Sequence, residues 1–197
     1  MREITVAVVE ADGPVCSVSR KAKAVGLLIA ALPALLLAQA YNETEVKSAF
    51  VFQFTHYVEY PASAFGSPTA PFVIGVLGRS AIIDALREAV RGKNVHGRSI
   101  VERQVSMGQE LRQCHVLFIP EEQARNLPKV LEELEGAPVL TVGESAGFSS
   151  RGGTIGFFTE QNRLRFEINV DSARRAHLTI SSKLLSLARI VKGGQKE

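Results

Sequence analysis

Residues 152–191 read GGTIGFFTEQNRLRFEINVDSARRAHLTISSKLLSLARIV. A glycine pair opens the stretch, and a strand-like run follows over residues 154–159. Glu160, Gln161 and Asn162 make a polar turn. A strict alternation comes next: Leu164, Phe166, Ile168 and Val170 point one way, and Arg163, Arg165, Glu167 and Asn169 the other. Period two with one apolar side is the pattern of a half-buried strand, so the two runs are expected to form an antiparallel hairpin. Asp171 is expected to cap a short helical turn over residues 172–176. Thr179 and Ile180 are a β-branched break. Ser181 or Ser182 should then cap a last helix, with Leu184, Ala188 and Val191 as its apolar seam and Leu185 beside them.

Upstream, strands and helices alternate. Asn42 with Glu45 fits an N-cap and its reciprocal partner, opening a helix that ends before Pro61. Its apolar residues (Val46, Ala49, Phe50, Val51, Phe52, Phe54, Tyr57, Val58) cover more than one stripe, which predicts burial on more than one side. A buried strand is expected at residues 72–77, a helix at 80–91 and a strand near 99–105. Buried strands at 115–119 and 139–142 flank a helix at 121–135. Strands separated by helices imply right-handed crossovers and a largely parallel sheet. The reading is a single α/β domain: a mixed, mostly parallel sheet flanked by helices, closed by the antiparallel hairpin and a terminal helix.

The first forty residues behave differently. Arg20, Lys21 and Lys23 precede an apolar run at residues 24–38, and Ala38-Gln39-Ala40 is a small-x-small cleavage site. This is the order of a secretory signal peptide. The rival reading is a membrane anchor, which needs roughly 20 apolar residues; the run is shorter and Pro33 interrupts it. Cleavage after Ala40 would leave a domain over residues 41–197, with Cys114 as its one cysteine and so no internal disulfide. With 46% hydrophobic and 22% charged residues the chain can build a sizeable core. A net charge of +3 is too small to imply nucleic acid.

Motifs for chemistry are weak. Gly75 and Gly78 mark a strand-to-helix turn but lack the spacing of a dinucleotide loop. Gly143-Glu144-Ser145-Ala146-Gly147 matches the nucleophile-elbow pattern formally, yet more serines and glycines follow where a helix is required. His56, His96, His115 and His177 show no zinc spacing. Cys114 and His115 are neighbours on a strand and face opposite ways, so the histidine is no base for the thiol; Cys114 reads as a buried thiol. Neither a metal nor a cofactor is expected. Arg174 and Arg175, with His177, form a basic spot that is either a solvated face or a docking patch. Arg163, Arg165 and Glu167 on the hairpin are likewise solvated or covered by a partner. Phe148 and Phe65 sit in polar loops; each is either an exposed anchor or folded back onto the core.

The glycine pair, the RFEIN strand and the leucine-rich ISSKLLSLARIV tail resemble the YfiR-like family of periplasmic proteins. Three earlier pieces agree in order: SAFVFQFTHYVEYP, then FVIGVLG, then CHVLFIP followed by PVLTVG. The resemblance spans most of residues 43–192. It implies a non-enzymatic regulator that restrains an inner-membrane diguanylate cyclase from the periplasmic side, and it implies that a homodimer forms. Family members that use disulfides carry further cysteines, which this chain lacks. The partner-binding residues expected on this basis are Arg163, Arg165, Arg174, Arg175 and Phe148. The competing reading is a periplasmic small-ligand-binding module serving a membrane receptor or sensor kinase. Its site would lie on the carboxyl rim of the sheet, at Gly78, Arg79, Pro120, Gly143 and Glu144.

Overall fold

The computed structural model describes residues 42–192. The proposed leader and its cleavage site therefore lie outside the described residues. The chain begins with α1 (Glu43–His56), then β1 (Val58–Glu59), β2 (Phe72–Leu77), α2 (Ile82–Val90), β3 (Asn94–Val95) and β4 (Arg98–Val105). It continues through β5 (Val116–Ile119), α3 (Leu127–Glu133), β6 (Leu140–Gly143), β7 (Ile155–Glu160), β8 (Arg163–Asn169) and α4 (Val170–Arg175). It closes with β9 (Thr179–Ile180), α5 (Ser182–Leu185) and β10 (Arg189–Val191).

Eight strands form one sheet in the order β10-β8-β7-β6-β5-β2-β4-β3. The steps β4-β2-β5-β6-β7 are parallel, and β7-β8 is antiparallel. The mixed, mostly parallel α/β sheet expected from the alternation of elements is the one observed. Every residue of β2, β5 and β6 is buried. Continuous apolar runs are what a parallel strand covered on both faces requires. One core face packs Val51, Phe54, Ile82 and Leu86 from the helices against Ile74, Val76, Phe118 and Val142. The opposite face packs Leu77, Leu117 and Ile119 under Leu111, Leu127, Val130 and Phe148.

The hairpin turns through Gln161 and Asn162, whose φ values are 50° and 59°. Two positive-φ residues between strands match the right-handed twist of the arms, and asparagine tolerates that region. The turn sets the register Glu160↔Arg163, Phe158↔Arg165 and Gly156↔Glu167.

Several local expectations are corrected. The helix expected to run to Val191 stops at Leu185, and residues 189–191 instead add a strand, β10, parallel to β8. Ser181 does cap α5, its side chain accepting the Leu184 N–H. α4 is capped by Asn169, not Asp171: Asn169 Oδ1 accepts the Ser172 N–H at 3.0 Å while its Nδ2 donates to Ser149 O at 2.8 Å. Both ends of that buried amide are thereby satisfied. Thr179 and Ile180 pair with β1, which ends α1 at His56. The expected helix over residues 121–135 is a 3₁₀ segment, Glu121–Asn126, followed by α3 with Pro128 in its first turn. A proline is tolerated only there, so the break falls where its ring demands it. Asn42 bonds Glu45 side chain to side chain at 2.8 Å and makes no side-chain cap.

Candidate functional site on the hairpin face

Antiparallel partners point to the same side of a sheet. Phe157 and Phe166 are one such pair, and they meet α1: Phe54 lies 5.8 Å and 5.0 Å from them by ring centroids. The other side of the hairpin therefore carries Glu160 with Arg163, and Phe158 with Arg165. β10 contributes Arg189, opposite Glu167. Its guanidinium sits 4.0 Å over the Phe158 ring and donates to Glu160 Oε1 at 2.7 Å. Arg163, Arg165 and Arg189 are exposed, and Phe158 is half-buried. Among the described residues Leu187 (71%) and Ile190 (51%) are the most exposed large apolar side chains; Ile190 lies on the edge strand β10 but registers with Ile168, on the α1 side of the sheet. Arginine and aromatic rings are groups that protein interfaces favour.

The fold brings Arg163 and Arg165 together and adds Arg189, which the reading of residues 181–191 as a helix had concealed. It does not bring in Arg174 and Arg175. They follow the far end of β8, and at ~3.3 Å per strand residue that end is ~20 Å from Arg163. There Arg175 donates to Ser172 Oγ at 2.8 Å and Arg174 lies 3.4 Å from Asp171. Phe148 is corrected as an exposed anchor: it is 1% exposed and fills the core beside Gly143 and Gly153. Phe65 is half-buried, 4.5 Å from His115 and 3.9 Å from the Arg98 guanidinium.

The carboxyl rim of the sheet is filled by the chain's own groups. Gly78 turns at φ +71°, with Gln123 lying where a side chain would go. Glu144 accepts from Lys47 Nζ at 2.5 Å and from the Glu121 N–H at 3.2 Å. Burial opposes the Lys47 charge, but the hydrogen bonds to Glu144 and Glu43 prevail and raise its pKa above the ordinary lysine value.

The candidate nucleophiles lack an activating base. Ser145 Oγ is buried without a hydrogen bond, and its loop continues as turns rather than a helix. Burial pushes the Cys114 thiol up to about 11, although the nearby Arg103 charge acts in the other direction. His115 packs on the opposite side of the sheet from Cys114, against Phe72 at 4.9 Å. Cys114 is thus expected to label slowly with a maleimide in the native protein and completely on unfolding. Rapid native labelling would place it at the surface. Among the described residues no group of three or more His, Cys, Asp or Glu is placed to hold a metal ion, and no helix is long and apolar enough to cross a membrane.

A solved structure shares the fold. A conserved domain protein from Vibrio cholerae O1 biovar El Tor str. N16961 superposes with a TM-score of 0.52 at 13% identity, over 76% of this chain and 60% of that one. An ABC domain in complex with L-Trp from Streptococcus pneumonia matches with a TM-score of 0.47 at 13% identity, over 61% of this chain and 55% of that one. This chain thus spans less than two thirds of either. No curated protein matches it. Residues 44–189 match the DUF4154 family, described as YfiR/HmsC-like. That match takes in nearly all the described residues, from the first turn of α1 to the edge strand β10, and the chain belongs to the YfiR/HmsC-like family.

Proposed function

We propose that the protein is exported, loses residues 1–40, and acts in the periplasm as a non-enzymatic regulator. It binds the periplasmic domain of an inner-membrane diguanylate cyclase and holds the enzyme inactive, lowering cyclic-di-GMP. Family membership supports this reading, and the observation that carries the contact surface is the hairpin face of Phe158, Arg163, Arg165 and Arg189, at the sheet edge whose strand β10 also exposes Ile190. Repression needs only that the regulator bind the inactive state of the cyclase more tightly than the active one. The arginines would steer an acidic partner surface, and the apolar groups would supply most of the affinity.

Capture of the partner from detergent-solubilised membranes, using protein recovered from the periplasm, tests this. Tyr41 is expected as the first residue of that protein. Reversing Arg163 and Arg165 to Glu should weaken capture roughly tenfold or more, about 1.4 kcal/mol. Exposed substitutions usually move stability by no more than about 0.5 kcal/mol, so folding should survive. The same reversal at Arg174 and Arg175 asks separately whether the far basic spot takes part. Deleting the gene should raise cyclic-di-GMP; an unchanged level while the cyclase is expressed would refute repression.

A further inference from the structure

His115 stands just before β5, at the amino end of the sheet. Its backbone is locked in place: its N–H donates to Val73 O at 2.9 Å, and its carbonyl accepts the Leu140 N–H at 2.8 Å. The imidazole then reaches two other segments. Nδ1 accepts the Val73 N–H at 2.9 Å, which puts the ring proton on Nε2, and Nε2 donates to Ala64 O at 3.1 Å. Phe65 stacks on the ring at 4.5 Å and Phe72 at 4.9 Å, with Tyr60 edge-on at 6.1 Å. Ala64 and Phe65 belong to the connection between β1 and β2. The neutral imidazole therefore staples that connection to the sheet.

We propose that His115 is an acid-released latch: neutral, it holds residues 61–66 against the amino end of the sheet, and protonated, it lets them go. A proton on Nδ1 would turn the acceptor of the Val73 N–H into a second donor facing it, so the ring, which keeps its Nε2–H bond to Ala64 O, would be driven off β2 and carry the connection with it. Val73 is buried, so its N–H would be left without a partner. The charged groups bearing on the ring are both cationic, Arg98 and Arg103 of β4. The titratable group that the β1–β2 connection brings to the ring is the Tyr60 phenol, which burial holds protonated.

The opening has a limit built in. Arg98 donates to Ser67 O at 2.9 Å and to Ala70 O at 2.7 Å. Arginine does not titrate in this range, so residues 67–70 stay tied down. Release confined to residues 61–66 would bare Phe65, Tyr60 and Phe72 in acid.

The direction with pH follows from the proton balance. Burial lowers the imidazole below its ordinary value; the Ala64 bond opposes this, and Arg98 and Arg103 add to it. The open form, near the ordinary value of about 6.5, binds its proton first as pH falls. The latch is thus intact above about 6.5 and lost as pH drops through the lower closed-state value.

Hydrogen exchange of the purified protein between pH 7.5 and 4.5, corrected for intrinsic rates, tests the latch. Protection of residues 61–66 and of the Val73 amide should fall roughly tenfold, in step with the His115 imidazole followed by NMR, while residues 67–70 hold. His115→Asn keeps an acceptor near the Nδ1 position but cannot titrate, so its exchange over 61–66 should be the same at both pH values. Unchanged protection while His115 titrates, or an equal loss in His115→Asn, would overturn the proposal. If that variant does not fold, the wild-type comparison decides: a loss out of step with the His115 titration, or spread over the whole domain, refutes the latch. Either outcome leaves the hairpin-face reading untouched.

Discussion

Phe148→Ala is expected to destabilise the protein by about 3–5 kcal/mol, the range for emptying a fully buried aromatic site. The ring is 1% exposed and packs in the cluster with Leu127, Val130 and Leu134. Two backbone segments press on it: a Cβ at Gly143 would come within 2.3 Å of the ring, and one at Gly153 within 2.1 Å. These two glycines flank the loop that carries Phe148, so the ring is the plug on which the loop closes. The Phe148 N–H donates to Ser145 O at 3.0 Å and the Gly153 N–H to Phe148 O at 3.0 Å, so the backbone around it is already committed and collapses poorly into a void. At about 2–4 °C per kcal/mol for a domain of this size, the melting temperature should drop by roughly 10 °C. Phe148→Leu should lose less. A loss below about 1 kcal/mol in the alanine variant would return Phe148 to the surface.

Gly75→Ala should cost about 1–3 kcal/mol through overpacking, and the loss should depend on Cys114. A Cβ on Gly75 would lie 2.4 Å from Cys114 Sγ and 3.4 Å from the Leu117 and Val105 side chains. Sulfur is the only severe clash of the three. Cys114→Ala removes that atom and leaves space for the new methyl group. The double variant is therefore expected to be more stable than the two single losses predict, by about 1–2 kcal/mol of coupling. Urea unfolding of the four proteins in the cycle measures this. Strict additivity would mean that the strand relaxes and that Gly75 is there for another reason. The pair also explains why a glycine stands mid-strand, where it otherwise weakens a sheet.

Much of the architecture could be read from local pattern. Period two over residues 163–169 specified a strand with one apolar side, and Phe166 and Ile168 are buried where that pattern puts them. The unbroken apolar runs at residues 72–77 and 116–119 specified strands covered on both faces, which only a parallel sheet under helices provides. The same alternation placed Arg163 and Arg165 on the outer face of the hairpin. Cys114 could be read as buried from its place before an apolar strand.

What the chain could not decide locally was which backbone edges and gaps would be open to receive it. Residues 181–191 have helical spacing of leucines, and a short helix does form; but the outer edge of β8 offers unpaired backbone groups, and Arg189, Ile190 and Val191 satisfy them as β10. That pairing is what brings Arg189 over Phe158. Asn169 outcompetes Asp171 as the cap because its amide can bond the Ser149 carbonyl while capping, a partner distant in sequence. Phe148 lies in a stretch of small and polar residues whose local character is that of a surface loop. Its burial depends on two glycines, brought by folding against the same ring. Periodicity encodes which side of an element is apolar; the gap that a lone side chain fills, and the edge that a short segment pairs with, exist only once the other elements have packed.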